Sequence, residues 1–365
     1  MQALHCCAPL EIRMQVVVIH EHGDYDKLVF EDRPIPEPGP GEVRVQVKAA
    51  GLNHLDTWVR RGVPGHEFPL PMVPGCDGAG IIDALGPGVT SHVEGQRVVL
   101  APGVVGGDGA ETAQGRDHLA ADYGILGETR DGTCADQIVV PARNALPLGD
   151  TLSFEEAAAF PLTFLTAWNM VVQRAQVGPG DNVLIHAAGS GVSTAAIQIA
   201  RLCGAAHILT TTSSKEKAER ARALGADDVI DYTNEKWSRE VKALTEGRGV
   251  DVVIDHVGAV TFGTSLRVLA RGGRYVFCGA TTGAEVLMHL NLVFFKNLSV
   301  LGSTMGSLGD LHRIVKLVEA GELSPVVDAV LPLSEVREAH RRLEAREVFG
   351  KLVLVPGTYA AGKAN

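Results

Sequence analysis

Residues 182–217 constrain the fold more tightly than any other stretch, because they read as one nucleotide-binding β-turn-α-β unit. A short apolar strand at 182–187 (NVLIHA) runs straight into AGSGVS at 188–193. An Ala/Ile-rich helical stretch follows at 194–203, and a second apolar strand comes at 207–210. Small residues at such a turn let backbone N–H groups approach a pyrophosphate, and the helix N-terminus adds favourable partial charge. The residues placed there are Ala188, Gly189, Ser190, Gly191 and Val192. A literal G-x-G-x-x-G puts Thr194 at its third glycine, so the pattern takes its meaning from standing between strand and helix. An ordinary glycine-rich loop is the competing reading.

Ribose selectivity is normally set about 20 residues further on, at the end of the second strand. No carboxylate stands at that strand end here; Thr212, Ser213, Ser214 and Lys217 do. Hydroxyls and an ammonium suit a ribose 2′-phosphate, so NADP(H) is the expected cofactor. A solvated helix start with Ser213 or Ser214 as its N-cap would use the same residues, and the two uses are compatible.

At 365 residues the chain is long enough for two domains and a large core. Its net charge of -10 argues against a nucleic-acid or polyanion surface. Six cysteines (Cys6, Cys7, Cys76, Cys134, Cys203 and Cys278) lack framework spacing, which suits a reducing cytoplasm. The uncharged run 182–200 is broken by Asn, His, Gln, Ser and Gly, so no membrane span is expected. Residues 1–13 lack a signal-peptide core and are expected to be a disordered extension.

From residue 14 to about 147, short β-like runs at 15–19, 43–47, 80–82, 97–100 and 137–140 alternate with Pro/Gly turns, which suggests a compact β-barrel-like domain. From about residue 153, six strands alternate with helices, at 182–187, 207–210, 228–231, 251–255, 273–278 and 298–301. That alternation implies a doubly wound parallel sheet. A tail of strand, helix and strand (326–331, 334–346, 351–355) is in a position to rejoin the first domain.

Five segments in this order and spacing carry a resemblance: PEPGPGEVRVQVK (36–48), GLNHLD (51–56), PGCDGAG (74–80), PLTFLTA (161–167) and GADDVIDY (225–232). With them the chain resembles the medium-chain dehydrogenase/reductase family over almost everything from Met14 to Pro356. The resemblance implies an α/β protein with a split GroES-like, β-barrel-like catalytic domain (14–147 and 322–365). It pairs that domain with a Rossmann NADP-binding domain (148–321) and puts the active site in the cleft between them. Ser193 replaces a usual glycine of the fingerprint. Thr166 then falls near the nicotinamide, Tyr232 beside the adenine, Gly258 at a strand end and Lys351 near the phosphates. Lys217 and Lys351 also suit plain solubilising charges.

Zinc alcohol dehydrogenases of that family use Cys, His and Cys as catalytic-metal ligands, with Glu beside the His. The corresponding positions are Asn53, Cys76 and Leu162, with Asp77 beside Cys76. One thiol is too few for a tetrahedral site, so zinc is not expected. A rescued site from Cys76, Asp77 and His54 is the alternative. The structural-zinc positions are Gly106, Gly109, Thr112 and Ala120, in a full-length loop (102–127) without cysteine; that loop is expected to be mobile, with Asp117 and His118 solvated.

The resemblance offers Asn53, His54 and Asp56 as catalytic candidates: Asn53 to orient cofactor or substrate oxygen, His54 to deliver a proton or face the pyrophosphate, Asp56 as a supporting carboxylate. A helix starting at Thr57 with Asp56 as its cap is the bland reading. Leu55, Trp58, Leu162 and Phe164 are the expected, generic cleft residues. The expectation is an NADP(H)-dependent reductase of the quinone oxidoreductase-like branch, acting without zinc on a small molecule. It is expected to form a homodimer or homotetramer through the apolar run 298–301. A zinc-type alcohol dehydrogenase with unusual ligands and a non-catalytic NADPH-binding protein remain as alternatives.

Overall fold

The apolar runs at 183–185, 208–209 and 252–254 have no polar face, which is the pattern of strands covered on both sides. In the computed structural model, which describes residues 13–357, they lie at the centre of a six-stranded parallel sheet. Its order is Asp228–Asp231, His207–Thr212, Asn182–Ile185, Val250–Asp255, Leu269–Phe277, Ser299–Gly302. Val183, Leu184 and Ile185 are fully buried, and each such side chain contributes on the order of 1.5–3 kcal/mol. The strand order reverses on either side of Asn182–Ile185, which opens a crevice at the carboxyl ends of the strands.

The earlier part of the chain alternates instead. Along Glu42–Gly51, Val43, Val45 and Val47 point inward while their neighbours face out. That strand pairs with Asp77–Leu85 and Gln137–Pro141, and its register shifts at Arg44/Val45 and Val47/Ala49. Such bulges bend a strand and tighten its twist, curling the sheet around its own apolar cluster. Gly51 is required: a Cβ there would lie 2.1 Å from the Ala158 carbonyl oxygen.

The tail returns to this sheet. Lys351–Val355 pairs antiparallel with Glu42–Gly51 and parallel with Val327–Pro332. On its way it also touches the nucleotide turn, where the Gly350 amide donates to the Gly189 carbonyl at 2.8 Å. Lys351 is thereby set at the junction of the two sheets.

Three sequence-based expectations change. The helix after the turn runs Gly191–Leu202, three residues earlier than its composition indicates, so Gly191 and Val192 sit in its first turn. The Phe164 ring is buried in the core against Phe160 and does not line the cleft. The 102–127 loop has structure of its own: a ribbon of Gly103–Val104 with Gly124–Ile125, a short helix Ala110–Ala113 and a 3-10 turn Asp117–Leu119. Asp117 is buried, not solvated, and its carboxylate accepts from the Leu308 amide at 3.1 Å. The expectation for residues 1–13 lies, but for Arg13, outside the described residues. Among the described residues no helix is long and apolar enough to cross a membrane.

Candidate active site

The turn after Asn182–Ile185 closes through Ala187, which takes a left-handed φ of 54°. Ser190 then caps the helix, its hydroxyl accepting from the Ser193 amide at 3.2 Å. The first amides of a helix have no intrahelical acceptor, and with the helix dipole they favour an anion. Glycine is needed at 191, because a Cβ would meet Thr163 Cγ2 at 2.9 Å and Lys351 Cδ at 3.1 Å. Ser193, in place of the family's glycine, is buried; its hydroxyl donates to the His186 carbonyl at 2.6 Å and meets His256 Nε2 at 3.1 Å. The substitution thus adds a polar tie between the helix start and two strand ends.

This turn forms one wall of a cleft of about 890 Å³ that reaches from the parallel sheet to the barrel. Of the residues expected at the site, Asn53, His54, Thr166, Gly189, Ser190, Gly191, Val192, Thr212, Ser213, Lys217, Tyr232 and Lys351 line it. Four do not. Ala188 is fully buried, its amide donating to the Thr211 carbonyl, and Ala187 lines the cleft in its place. Ser214 is the N-cap of Lys215–Ala223. Gly258, at φ 93°, passes so near Ala280 that a Cβ would lie 2.8 Å from that residue's Cα. Asp56 is buried below the cleft and accepts from the Asn53 amide at 2.7 Å and the Gly75 amide at 2.9 Å. It is the third residue of the helix His54–Arg61, not the cap of a helix beginning at Thr57. Asp56 therefore positions the chain around Asn53, and burial raises its pKa to about 6.

Sequence reading missed His186, Ala187, His256 and Arg346, all of which line the cleft. His256 had a readable signal, since it follows the fourth parallel strand, where the crevice lies. The Lys217 ammonium donates to the carbonyls of Arg346 (2.8 Å) and Val348 (2.9 Å), which clamps the tail to the Rossmann side. Burial pulls the His54 imidazole down to a pKa of about 4, and the nearby charges of His256, Lys351 and Arg346 push the same way. Such a cluster of cationic and imidazole groups suits an anionic cofactor.

The far end of the cleft holds a compact polar knot. Lys351 Nζ donates to Asn53 Oδ1 at 2.5 Å and to Asp77 Oδ2 at 3.0 Å. Asn53 Nδ2 in turn donates to Asp77 Oδ2 at 2.8 Å and to Cys76 Sγ at 3.1 Å. Asp77 Oδ1 accepts from the Leu162 amide at 2.8 Å. An ammonium only donates and a carboxylate only accepts, so these partners fix which end of the Asn53 amide is oxygen. Lys351 and Asn53 are almost fully buried, and Asp77 is completely so. Burial, with the Asp56 and Asp77 carboxylates close by, pushes the Cys76 thiol well above its ordinary pKa. Leu55, Trp58, Phe68 and Leu162 supply the apolar wall beside the knot.

Comparison with known proteins places this geometry. Residues 39–150 match the family model described as the alcohol dehydrogenase GroES-like domain, and residues 191–320 match the one described as zinc-binding dehydrogenase. A zinc-type alcohol dehydrogenase-like protein of Schizosaccharomyces pombe is 35% identical over 349 residues, covering 93% of this chain and 99% of that protein. A quinone oxidoreductase of Pseudomonas aeruginosa is 33% identical over 347 residues, covering 92% and 97%. A solved structure described as NAD-dependent alcohol dehydrogenase superposes with a TM-score of 0.91 at 51% identity, covering 94% of this chain and all of that one.

Proposed function

The chain belongs to the medium-chain dehydrogenase/reductase family, and within it we propose an NADPH-dependent reductase that passes hydride to a quinone or an α,β-unsaturated carbonyl without catalytic zinc. The observation that carries this reading is the knot around Lys351. A tetrahedral zinc site needs three or four convergent donors. Asn53, Cys76 and Leu162 offer one thiol, and that thiol is held away from ionisation. A lysine ammonium already stands among them, 3.0 Å from the Asp77 carboxylate, and would repel a second cation. This donor set does not fit zinc.

The dinucleotide fits better. The glycine-lined helix start and the cluster of His54, His256, Arg346 and Lys351 along the cleft suit a bisphosphate. A bound reduced nicotinamide supplies the hydride. The absence of a carboxylate at the end of His207–Thr212, together with Ser213 and Lys217 in the cleft wall, favours a 2′-phosphate.

Reduction of a simple ketone builds nearly full charge on one oxygen and calls for a Lewis acid or a pre-aimed donor. A conjugated acceptor spreads that charge, so a single fixed cation suffices. Lys351 carries three N–H donors and gives two to Asn53 and Asp77, leaving one. Asn53 has both ends of its amide engaged, so we assign it to positioning Lys351 rather than to holding the substrate oxygen. His54, neutral near pH 7, suits hydrogen bonding to a phosphate better than acid catalysis, and the proton that completes reduction comes from water.

The test is elemental analysis alongside turnover after chelation. The reading expects far less than one zinc per chain and undiminished NADPH-dependent reduction of a conjugated acceptor. One tightly held zinc per chain, with activity lost on its removal, supports the alcohol dehydrogenase alternative instead.

A further inference from the structure

The walls of the cleft are unevenly charged. Lys217, Arg346 and Lys351 bring cations to it, and Glu128 is the one carboxylate among the described residues that line it. The surroundings of Glu128 are largely apolar or aromatic. Ile125 begins its own turn, and Trp58, Val63 and Phe68 line the same cleft. The His66 ring lies against the Phe68 ring, 4.4 Å between centroids. Its Nε2 stands 3.7 Å from Glu128 Oε1, beyond hydrogen-bond reach. No described residue donates a hydrogen bond to the Glu128 carboxylate. Only 16% of that side chain is accessible, yet neither of its oxygens is sealed from the cleft. A charge withdrawn so far from water is normally paired. Burial accordingly raises the Glu128 pKa, and His66 is the one charged neighbour that opposes the shift.

The backbone holds this carboxylate in place. Gly127, at φ 74°, presses on the segment that carries the knot: a Cβ there would lie 2.6 Å from the amide nitrogen of Gly75, one residue before Cys76. The Ile125 carbonyl accepts from the amides of Glu128 at 3.1 Å and Thr129 at 3.0 Å. Thr129 Oγ1 accepts in return from the Ile125 amide at 3.0 Å. The Gly127 amide donates to the Arg130 carbonyl at 2.8 Å. Glu128 is thus carried on a turn fixed against the same segment that brings Cys76 and Asp77 to Lys351.

We propose that Glu128 selects the acceptor, pairing with a hydrogen-bond-donating group on it, an ammonium above all, and repelling acceptors that carry an anion. The inference rests on the reductase reading and narrows it: the substrate is a conjugated carbonyl bearing such a donor. The donor lies at Glu128, while the conjugated carbonyl meets the free N–H of Lys351.

The test uses three 4-arylbut-3-en-2-ones that differ in the para substituent alone: aminomethyl, ethyl and carboxylate. It also measures binding of benzylamine and benzoate, neither of which accepts hydride, to the NADP-loaded protein. A charge-assisted hydrogen bond predicts a kcat/KM for the aminomethyl compound on the order of tenfold to a hundredfold above that of the ethyl compound. The carboxylate should fall below both, and benzylamine should bind where benzoate does not. Glu128→Gln should bring the aminomethyl-to-ethyl ratio close to one and weaken benzylamine at least about tenfold, while Glu128→Asp should retain part of the preference. Glu128→Lys should invert the order in favour of the carboxylate, whereas a merely structural role would lower all three rates alike. Equal turnover of the three by the unmodified protein, or a preference that survives Glu128→Gln, overturns the proposal and leaves the reductase reading standing. If none is reduced yet benzylamine binds in a Glu128-dependent way, the reductase reading fails and the cation-selective site stands. Neither turnover nor Glu128-dependent binding overturns both.

Discussion

Lys351 and Asp77 are 274 residues apart and meet in a site where neither is solvated. Removing one partner of such a pair leaves a buried charge, which typically costs about 3–5 kcal/mol. Lys351→Met should lower the unfolding free energy by that much in urea titration. Adding Asp77→Asn should recover a large part, because the amide oxygen can still accept from Leu162 and no bare charge remains. Equal destabilisation by the single and double variants would show that the pair is not coupled. Cofactor choice also rests on single side chains. Ser213→Asp should weaken NADPH about tenfold or more through charge repulsion while leaving NADH little changed; the check is fluorescence titration, and tighter NADH binding by the unmodified protein contradicts the assignment. Residue types at these positions were legible in the sequence, and so was the mismatch with zinc ligands. The partner of Lys351 was not, because only the tail's return to the barrel sheet brings Asp77 to it. The second partner of Asp56, the Gly75 amide, was likewise hidden, because it comes from another segment.

Two helices hold the barrel side of the cleft. His54–Arg61 carries His54, and Val336–Glu344 leads to Arg346. They are joined by Arg60, almost fully buried, which donates to both Glu344 oxygens at 3.0 and 3.1 Å and pairs with His340 Nδ1 at 3.2 Å. Burial lowers the His340 pKa to about 3 and that of His54 to about 4, against an ordinary 6.5. Between these values the unfolded chain binds protons that the folded chain refuses, so stability falls as pH drops from 6.5 towards 4. Asp56, raised from 3.8 to about 6, opposes this over its own interval, but one carboxyl stands against two imidazoles. The melting temperature should therefore fall between pH 7 and pH 5, and His340→Asn should flatten the slope; a rising melting temperature on acidification would refute the account. Strands and their periods were readable at this scale, because continuous and alternating apolar runs have distinct burial. The 102–127 loop was not, since part of its order comes from the Asp117 carboxylate gripping a distant helix start.

At the scale of the molecule, the cleft lies where the tail, on its way into the barrel sheet, touches the nucleotide turn through Gly350. The family architecture was legible in the order of its motifs. The sheet ends at Ser299–Gly302, an open edge beside the helix Leu290–Lys296, whose Leu290, Phe294 and Phe295 are 65%, 61% and 66% exposed. An open edge flanked by apolar side chains invites a second copy across a two-fold axis. Light scattering should report a dimer or tetramer, and Phe294→Glu with Phe295→Glu should shift it towards monomer; a monomeric unmodified protein at micromolar concentration contradicts this. The central claim is that a fixed ammonium, rather than a metal, balances the charge that builds during hydride transfer. Its most direct test is the kcat/KM ratio of an enone to the corresponding saturated ketone, measured with NADPH on chelator-treated protein. A donor missing for a localised oxyanion costs on the order of 10²–10³ in rate, so the account predicts that the enone is favoured by at least about that factor. Equal or faster reduction of the saturated ketone under the same metal-free conditions would contradict it.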